Sequence, residues 1–381
     1  MTMTITSATL RDIADLRQLY FDVYGHGYPV ALGSDPAVMR RLIADPNTFW
    51  LTARRSGTGE LAGSAVVQTD PGTRVGKLVG LAVHPAHRQA GLAGELTGSV
   101  CAAAFDGGCV DSVYATVRMV TRGPQNVVLR NGFVPVGLMP NAAEVEGCES
   151  LALFVRYADG VLTRREQVAE VPEALLPLLR ACADSTGIGF GPVAAAPAAA
   201  NPPRSARRSG AGFELLDAPG FVRRRFLELF PDPASRFFPL HTPNAVLLPG
   251  DGRFEAYAQL DRAAGSCALV AVHPHLGAVT DSLEPLMDAV ARAGADYVEA
   301  LLPLADTAGL AAFLAQGFVP GAVYPAMRRA ADRFHDYVVL SRTSRQIDFR
   351  DIAADGLLQG YLTAYLTAWT STYLPLPEVV S

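Results

Sequence analysis

The sequence predicts an α/β protein of two successive units, each a central mixed β-sheet flanked by helices. Three observations predict it. Strand-like and helix-like patterns alternate through residues 1–160, two four-residue landmarks recur in the same order further along the chain, and a Pro/Ala-rich stretch separates the two halves.

The chain has 381 residues, long for one core and comfortable for two domains. Half of the residues are hydrophobic, enough for burial to offset chain entropy over most of the length. The alternation reads as follows in the first half. Residues 10–24 place Ile13, Leu16, Leu19, Tyr20 and Val23 on one helical face, and residues 38–44 form a second short helix. Residues 48–54 and 61–68 read as strands joined by the turn-rich Ser56-Gly57-Thr58-Gly59. Then come a strand at 77–83, a helix at 91–105, a strand at 111–119, a short helix at 125–130, and strands at 133–138 and 150–157.

The landmarks are Ala82-Val83-His84-Pro85, repeated as Ala271-Val272-His273-Pro274, and Gly132-Phe133-Val134-Pro135, repeated as Gly317-Phe318-Val319-Pro320. They are 50 residues apart in the first half and 46 in the second, with a helix-like segment and a short strand-like run between them in each. This predicts an internal duplication. The boundaries that follow are 1–160, a helical extension at 161–191, a Pro/Ala/Arg-rich linker at 192–212, a second unit at 213–345 and a helical tail at 346–381. The tail carries Ile352, Leu357, Leu358, Tyr361, Leu362, Tyr365, Leu366 and Trp369 at helical spacing, which predicts packing across a domain seam or a homodimer seam.

Composition excludes several classes. A net charge of −5 gives no overall basic field, against DNA or anionic-membrane binding. Cys101, Cys109, Cys148, Cys182 and Cys267 are scattered, odd in number and without a C-x-x-C pair, so they read as free thiols. The seven histidines show no metal-ligand spacing, and no metal is expected. The first residues lack the basic and apolar regions of a signal peptide, no stretch is apolar enough to span a membrane, and the expected location is the cytoplasm.

The stretch that carries chemistry runs from Leu78 to Leu96. A hydrophobic strand ends at Val83, His84-Pro85 follows, then Arg88-x-x-Gly91-x-Ala93, then a helix. Such a strand-to-helix turn gathers unpaired backbone N–H groups before a helix dipole, a place suited to a pyrophosphate. Gly91 and Ala93 let the backbone approach phosphates closely, and Arg88 adds a charge-assisted contact. His84 and His87 flank the turn and read as caps or packing residues, Gln125 as a cap, and Glu95 as a residue on a solvated helix face.

This segment resembles the acyl-CoA pyrophosphate loop of the GNAT (GCN5-related N-acetyltransferase) superfamily, whose pattern is Arg/Gln-x-x-Gly-x-Gly/Ala after a strand and Val-x-Pro. The turn Leu129-Arg130-Asn131-Gly132-Phe133 is similar to that family's helix-to-strand turn, and Tyr24-Gly25-His26-Gly27-Tyr28-Pro29 to the substrate-side loop of one subgroup. The resemblance covers residues 5–157 well and 213–343 weakly. It implies two tandem GNAT-like domains, the second degenerate at its site, with acetyl-CoA or another acyl-CoA as co-substrate. It implies acyl-CoA contacts by Leu81, Ala82, Val83, Arg88, Gln89, Ala90, Gly91, Leu92, Ala93 and Gly94, and substrate contacts by Tyr24, His26 and Tyr28. The implied reaction is N-acyl transfer to a small amine.

One residue departs from the family. The tyrosine that usually protonates the leaving thiolate is replaced by Val128. Alternation puts Ser112, Tyr114 and Thr116 on one face of the neighbouring strand, so Tyr114 is the candidate acid, with His26 as a second catalytic candidate. The gap leaves two other readings open. One is different thioester chemistry, meaning O-acyl transfer, decarboxylation or transfer from aminoacyl-tRNA, the last with a basic face at Arg204, Arg207, Arg208 and Arg223–Arg225. The other is a non-catalytic CoA-sensing module. In the second half Asp281 and Glu284 fall where a diphosphate needs positive charge, so no tight acyl-CoA binding is expected there.

Overall fold

The computed structural model describes residues 2–25, 31–88, 91–144, 147–191, 193–196, 212–232, 236, 238, 240–354 and 356–374. The first half runs β1 (Met3–Ser7), α1 (Ile13–Tyr24), α2 (Pro36–Ala44), β2 (Thr48–Arg55), β3 (Leu61–Asp70), β4 (Val75–Val83), α3 (Leu92–Asp106), β5 (Ser112–Arg118), α4 (Arg122–Arg130), β6 (Val134–Glu144) and β7 (Cys148–Tyr157). A connecting segment carries β8 (Glu170–Pro172), α5 (Leu176–Thr186) and β9 (Ala194–Ala196). The second half runs β10 (Phe213–Leu216), α6 (Pro219–Leu229), β11 (Ala245–Pro249), β12 (Glu255–Asp261), β13 (Ser266–His273), α7 (Leu283–Arg292), β14 (Tyr297–Pro303), α8 (Thr307–Ala315), β15 (Val319–Ala330) and β16 (Arg333–Thr343), followed by α9 (Leu357–Tyr373).

Local chemistry sets the boundaries. Before α1, the Thr9 N–H and hydroxyl both donate to the Asp12 carboxylate, at 2.7 and 2.8 Å, closing the chain into the helix. The α1 stripe then buries Leu16, Leu19 and Tyr20 against the sheet. Asp35 caps α2 by accepting from the Ala37 N–H, with Pro36 as the first helical residue. The sequence reading misses β1, a short edge strand whose residues are half-exposed or exposed, and it takes 193–196 as linker where β9 pairs with β8.

The strands form one fourteen-stranded sheet in the order β1-β2-β3-β4-β5-β7-β6-β15-β16-β14-β13-β12-β11-β10. Read inward from each edge, the two halves have the same order. Within this sheet only β4–β5 and β13–β14 are parallel, and they are equivalent pairs. The irregularities match too: a register shift follows Pro135 in β6 and Pro320 in β15, and another interrupts β3–β4 and β12–β13 shortly before the His-Pro landmarks. The halves join where Gly137 of β6 faces Ala322 of β15, the same position counted from either Gly-Phe-Val-Pro landmark.

One face of the sheet carries a continuous core that includes Leu96 and Val100 of α3, Leu178 of α5, Leu286 of α7, Phe313 of α8 and Tyr361 of α9. On the opposite face α1 and α2 cover the first arm, and Val222 and Phe226 of α6 cover the second. Between them lies a cluster drawn from both halves, with Val75, Tyr114, Val136 and Val155 meeting Ala268, Tyr297, Leu301 and Tyr324. Strands β5 and β15 are three steps apart, about 14 Å on a flat sheet. Yet Ser112 Oγ and the Tyr324 hydroxyl lie 2.8 Å apart, so the sheet bends sharply and its middle closes on itself.

The tail lies at this seam. Helix α9 packs on α5 and against both β6 and β15, and the Tyr361 hydroxyl donates to the Pro135 carbonyl at 2.9 Å. The Gln125 amide donates to the Ala353 carbonyl at 3.0 Å, tying α4 to the residues that lead into α9. A second tie is buried: Arg165 Nε donates to Asp336 Oδ1 at 2.9 Å, with 3% and 1% of the two side chains exposed. Removing one partner of such a pair leaves a buried uncompensated charge, typically about 3–5 kcal/mol. Among the described residues no helix is long and apolar enough to cross a membrane. The five cysteines are unbridged.

Candidate functional site

The site begins where β4 and β5 part. They pair only over Val75, Gly76 and Lys77 against Ser112, Val113 and Tyr114. Beyond that, β4 continues along β3 and β5 along β7, leaving a wedge between residues 78–83 and 115–118. Gly80 sits at the bulge of β4 with φ +62°, and a Cβ there would come within 2.7 Å of the Tyr20 hydroxyl. That hydroxyl instead donates to the Gly80 carbonyl at 2.6 Å, fixing the bulge from α1.

The ladder decides which backbone groups face the wedge. The His84 N–H donates to the Ala62 carbonyl at 2.9 Å, so His84–Ala62 is a hydrogen-bonded pair of this antiparallel ladder. Alternation then turns the N–H and C=O of Ala82 toward β3 and those of Val83 toward the wedge. The carbonyl of Leu81 accepts from the Tyr24 hydroxyl at 2.7 Å. Of the three residues expected to offer backbone contacts, Val83 therefore offers both groups and Leu81 a carbonyl already shared with Tyr24. The Ala82 pair is committed to the sheet, a correction that follows from strand alternation alone.

At the mouth, His84 caps the turn through Nδ1, which accepts from the Ala86 N–H at 3.2 Å, while its Nε2 lies 3.7 Å from Asp22. His87 points inward, its Nε2 buried without a hydrogen bond and 3.7 Å from Glu60. Arg88 is exposed. Gly91 takes the left-handed conformation, φ +79° and ψ −3°, and is the residue before α3. Among the described residues no side chain caps α3, so the first N–H groups of the helix, from Leu92, Ala93 and Gly94, face out of the helix start. Nothing lies within 4 Å of a Cβ built on Gly91, which leaves the space before these donors open. Glu95 is exposed, as expected. Helices α3 and α4 pack together, and Asn131 Oδ1, just after α4, would lie 2.8 Å from a Cβ on Gly98.

The placement of Tyr114 corrects the sequence reading. Alternation does put Ser112, Tyr114 and Thr116 on one face, but Tyr114 is the last residue paired to β4, at the closed end of the wedge. Its ring packs edge-on to Tyr324 with centroids 6.2 Å apart, in the cluster shared by the two halves, and burial pushes its phenol far above the usual range. This environment assigns Tyr114 to packing rather than proton donation. Thr116 is exposed and nearer the open end. His26, Tyr28, Gln89 and Ala90 lie outside the described residues.

Two groups beside the wedge escaped the sequence reading. Arg118, at the end of β5, forms a two-pronged pair with the buried Glu149 of β7, its Nε donating to Oε2 at 2.5 Å. Tyr24, expected only to touch substrate, reaches into the wedge itself. Burial raises its phenol pKa, opposed by the positive charges of Arg118 and Arg88. No local pattern announces either, because each depends on which strand ends meet.

The chemistry of this donor set fits an acyl-CoA: helix-start N–H groups, a small-residue turn and an arginine for the diphosphate, and a free strand edge at Val83 for an extended amide arm. Residues 13–133 match the acetyltransferase (GNAT) family. Residues 13–133 form a GNAT acetyltransferase domain. The GNAT family uses acetyl-CoA. Solved structures similar to this chain include the GNAT-family acetyltransferase of Streptococcus pneumoniae, 18% identical over 41% of this chain and all of that one, with a TM-score of 0.37. YncA of Salmonella typhimurium, solved with its cofactor acetyl-CoA, is 18% identical over 42% of this chain and 95% of its own, at 0.37. The ribosomal-protein-alanine N-acetyltransferase of Brucella melitensis is 18% identical over 41% and 99%, at 0.36. No curated protein matches the chain.

In the second half the equivalent turn is built differently. Two short 3-10 turns, Leu276–Ala278 and Thr280–Ser282, replace the glycine turn, and Ser282 interacts with Arg253 before α7 begins. Glu284 in the first turn of α7 is held by Arg342 at 2.7 Å.

Proposed function

We propose that this protein is an acyl-CoA-dependent N-acyltransferase that moves an acetyl or other short acyl group to a small amine. Its first half carries the reaction, and its second half, a degenerate copy of the same domain, serves as scaffold and substrate cover. The observation that carries this reading is the wedge between β4 and β5 ending at the uncapped start of α3. Acyl-CoA, when bound, supplies the activated thioester. The chain's residues do the rest: Arg88 and the N–H groups of Leu92–Gly94 hold the diphosphate, and Val83 aligns the arm. Support for the degenerate copy comes from the shared strand order and matching register shifts, and from the carboxylate of Glu284 standing beside the corresponding helix start.

The role left vacant by Val128 falls in this reading to Tyr24. Its hydroxyl donates to the Leu81 carbonyl beside the wedge, and a rotation of the O–H bond away from that carbonyl would carry its proton to a leaving thiolate. Tyr24→Phe is expected to lower kcat by about 10- to 100-fold with acyl-CoA affinity within about 2-fold of the native value. An unchanged kcat in steady-state thiol release removes Tyr24 from the reaction.

The function itself is tested by titrating the chain with acetyl-CoA in a calorimeter and following thiol release against a panel of amines. Binding with amine-dependent thiol release supports the reading. Binding without release against any amine favours a CoA-sensing module, and no binding overturns both.

A further inference from the structure

A cavity lies on the side of α4 that faces away from α3, where the reaction as described has no use for it. Arg122, Gln125, Asn126 and Leu129 recur at i, i+3, i+4 and i+7 and so share one face of α4. Asn131, which approaches Gly98 of α3, belongs to the opposite face. The space beside the first face measures about 200 Å³ and is bounded by Pro135 of β6, Phe154 of β7 and the start of α9. An apolar cavity of roughly 150 Å³ already holds benzene, so this one has room for a substituted ring.

Its inner end and its rim differ in chemistry. Inside, Phe154 is fully buried, and Leu358 and Gln125 are 3% and 2% exposed. The Gln125 amide is held by its own donors: Nε2 donates to the Ala353 carbonyl at 3.0 Å and to the Thr121 carbonyl at 3.3 Å. Its Oε1 accepts no hydrogen bond among the described residues. A buried acceptor without a donor is costly, and a hydroxyl delivered into the cavity relieves that cost. At the rim stand Arg122 and Asn126, both exposed, with Leu129 and Leu357, 41% and 46% exposed. Among the described residues no side chain caps α9, so the first N–H groups of this helix, from Leu357 and Leu358 in the cavity wall, have no intrahelical partner. The rim offers positive charge and donors, the walls apolar surface, and the inner end a single vacant acceptor.

We propose that this cavity is a ligand site separate from the acyl-CoA wedge, and that it takes a small aromatic acid carrying a hydroxyl group. The hydroxyl donates to Gln125 Oε1, the ring lies against Phe154, Leu129 and Leu358, and the carboxylate meets Arg122 and the start of α9 at the rim. A ligand so placed bridges α4, which follows the wedge strand β5, and α9, which packs on strands of both halves. It reinforces the tie between Gln125 and Ala353 while touching no residue assigned to acyl-CoA. The inference is independent of the acyltransferase reading, since none of these residues belongs to the wedge.

The probes are meta- and para-hydroxybenzoate, with benzoate and the methyl hydroxybenzoates as controls, titrated into the native chain in a calorimeter. At least one hydroxybenzoate is expected to bind with a Kd at or below about 1 mM. Benzoate, which has no donor for Gln125, is expected to bind about 5-fold more weakly, and the uncharged esters about 10-fold more weakly. Arg122→Gln is expected to bring acid and ester to the same affinity, and Gln125→Met to do the same for hydroxybenzoate and benzoate. Leu129→Trp, which fills the rim, is expected to abolish binding. Saturating acetyl-CoA is expected to leave the hydroxybenzoate Kd within about 2-fold of its value in the free chain. No binding up to about 10 mM, equal affinity of the native chain for acid, ester and benzoate, or displacement by acetyl-CoA overturns the site whether or not the variants fold.

Discussion

Replacing Gly91 by glutamate is expected to weaken acetyl-CoA binding at least about 100-fold, some 2.7 kcal/mol, while changing the unfolding midpoint little. Two terms act on the folded chain. A non-glycine residue at φ +79° costs about 1–2 kcal/mol. A carboxylate before the uncapped start of α3 returns about 0.3–1 kcal/mol through the helix dipole. Binding has no such offset. The new side chain enters the space that is open for 4 Å around the Cβ position, competes for the Leu92–Gly94 donors and sets negative charge against a diphosphate. Gly91→Asn, which tolerates the left-handed conformation and adds no charge, separates the terms and is expected to lose about 10-fold or less. Calorimetry with acetyl-CoA reads the affinity and a urea melt the stability. An unchanged affinity in Gly91→Glu moves the diphosphate away from α3.

The strand, the left-handed glycine and the helix start were legible in the sequence because each is local: β4 ends at Val83, Gly91 has φ +79° and α3 follows it. The paired landmarks of the second half were legible for a different reason. The landmarks Ala82-Val83-His84-Pro85 and Ala271-Val272-His273-Pro274 lie at the ends of β4 and β13, and Gly132-Phe133-Val134-Pro135 and Gly317-Phe318-Val319-Pro320 at the starts of β6 and β15; which strands pair is not written in them. Short β1 was missed because an exposed edge strand needs no buried face and so carries little hydrophobic period.

The candidate acid failed for a geometric reason. Alternation along β5 correctly assigns Ser112, Tyr114 and Thr116 to one face, yet it says nothing about how far β4 stays paired. Pairing through Lys77 and Tyr114 puts the phenol at the closed end of the wedge, while Tyr24, far away in sequence, reaches the open part from α1. Contacts such as Ser112 with Tyr324 leave no local trace, because they depend on a bend distributed over several strands.

That bend is most exposed to mutation at Gly137. Gly137→Ala is expected to destabilise the protein by on the order of 3 kcal/mol, at the upper end for one added methyl group. A Cβ there would stand 2.2 Å from the Cα of Ala322 and 2.4 Å from the carbonyl oxygen of Gly321. Both are backbone atoms, so no rotamer change relieves the overlap, and one strand of the β6–β15 junction must move. Gly321 is equally tight on the other side, where its Cβ would meet the Leu138 carbonyl oxygen at 2.6 Å. Separating the strands there also strains the Ser112–Tyr324 hydrogen bond and the cluster of Tyr114, Tyr297 and Tyr324 behind it. Gly108→Ala provides the comparison: Gly108 has φ +63° but open space around it, so only the conformational cost of about 1–2 kcal/mol applies. Urea unfolding of the two variants reads the difference directly, and equal losses would mean that the junction accommodates a side chain. The functional consequence follows from the same movement. Loosening β6 from β15 leaves the turn at Gly91 intact, so Gly137→Ala is expected to keep acetyl-CoA affinity near native in calorimetry even as it lowers stability.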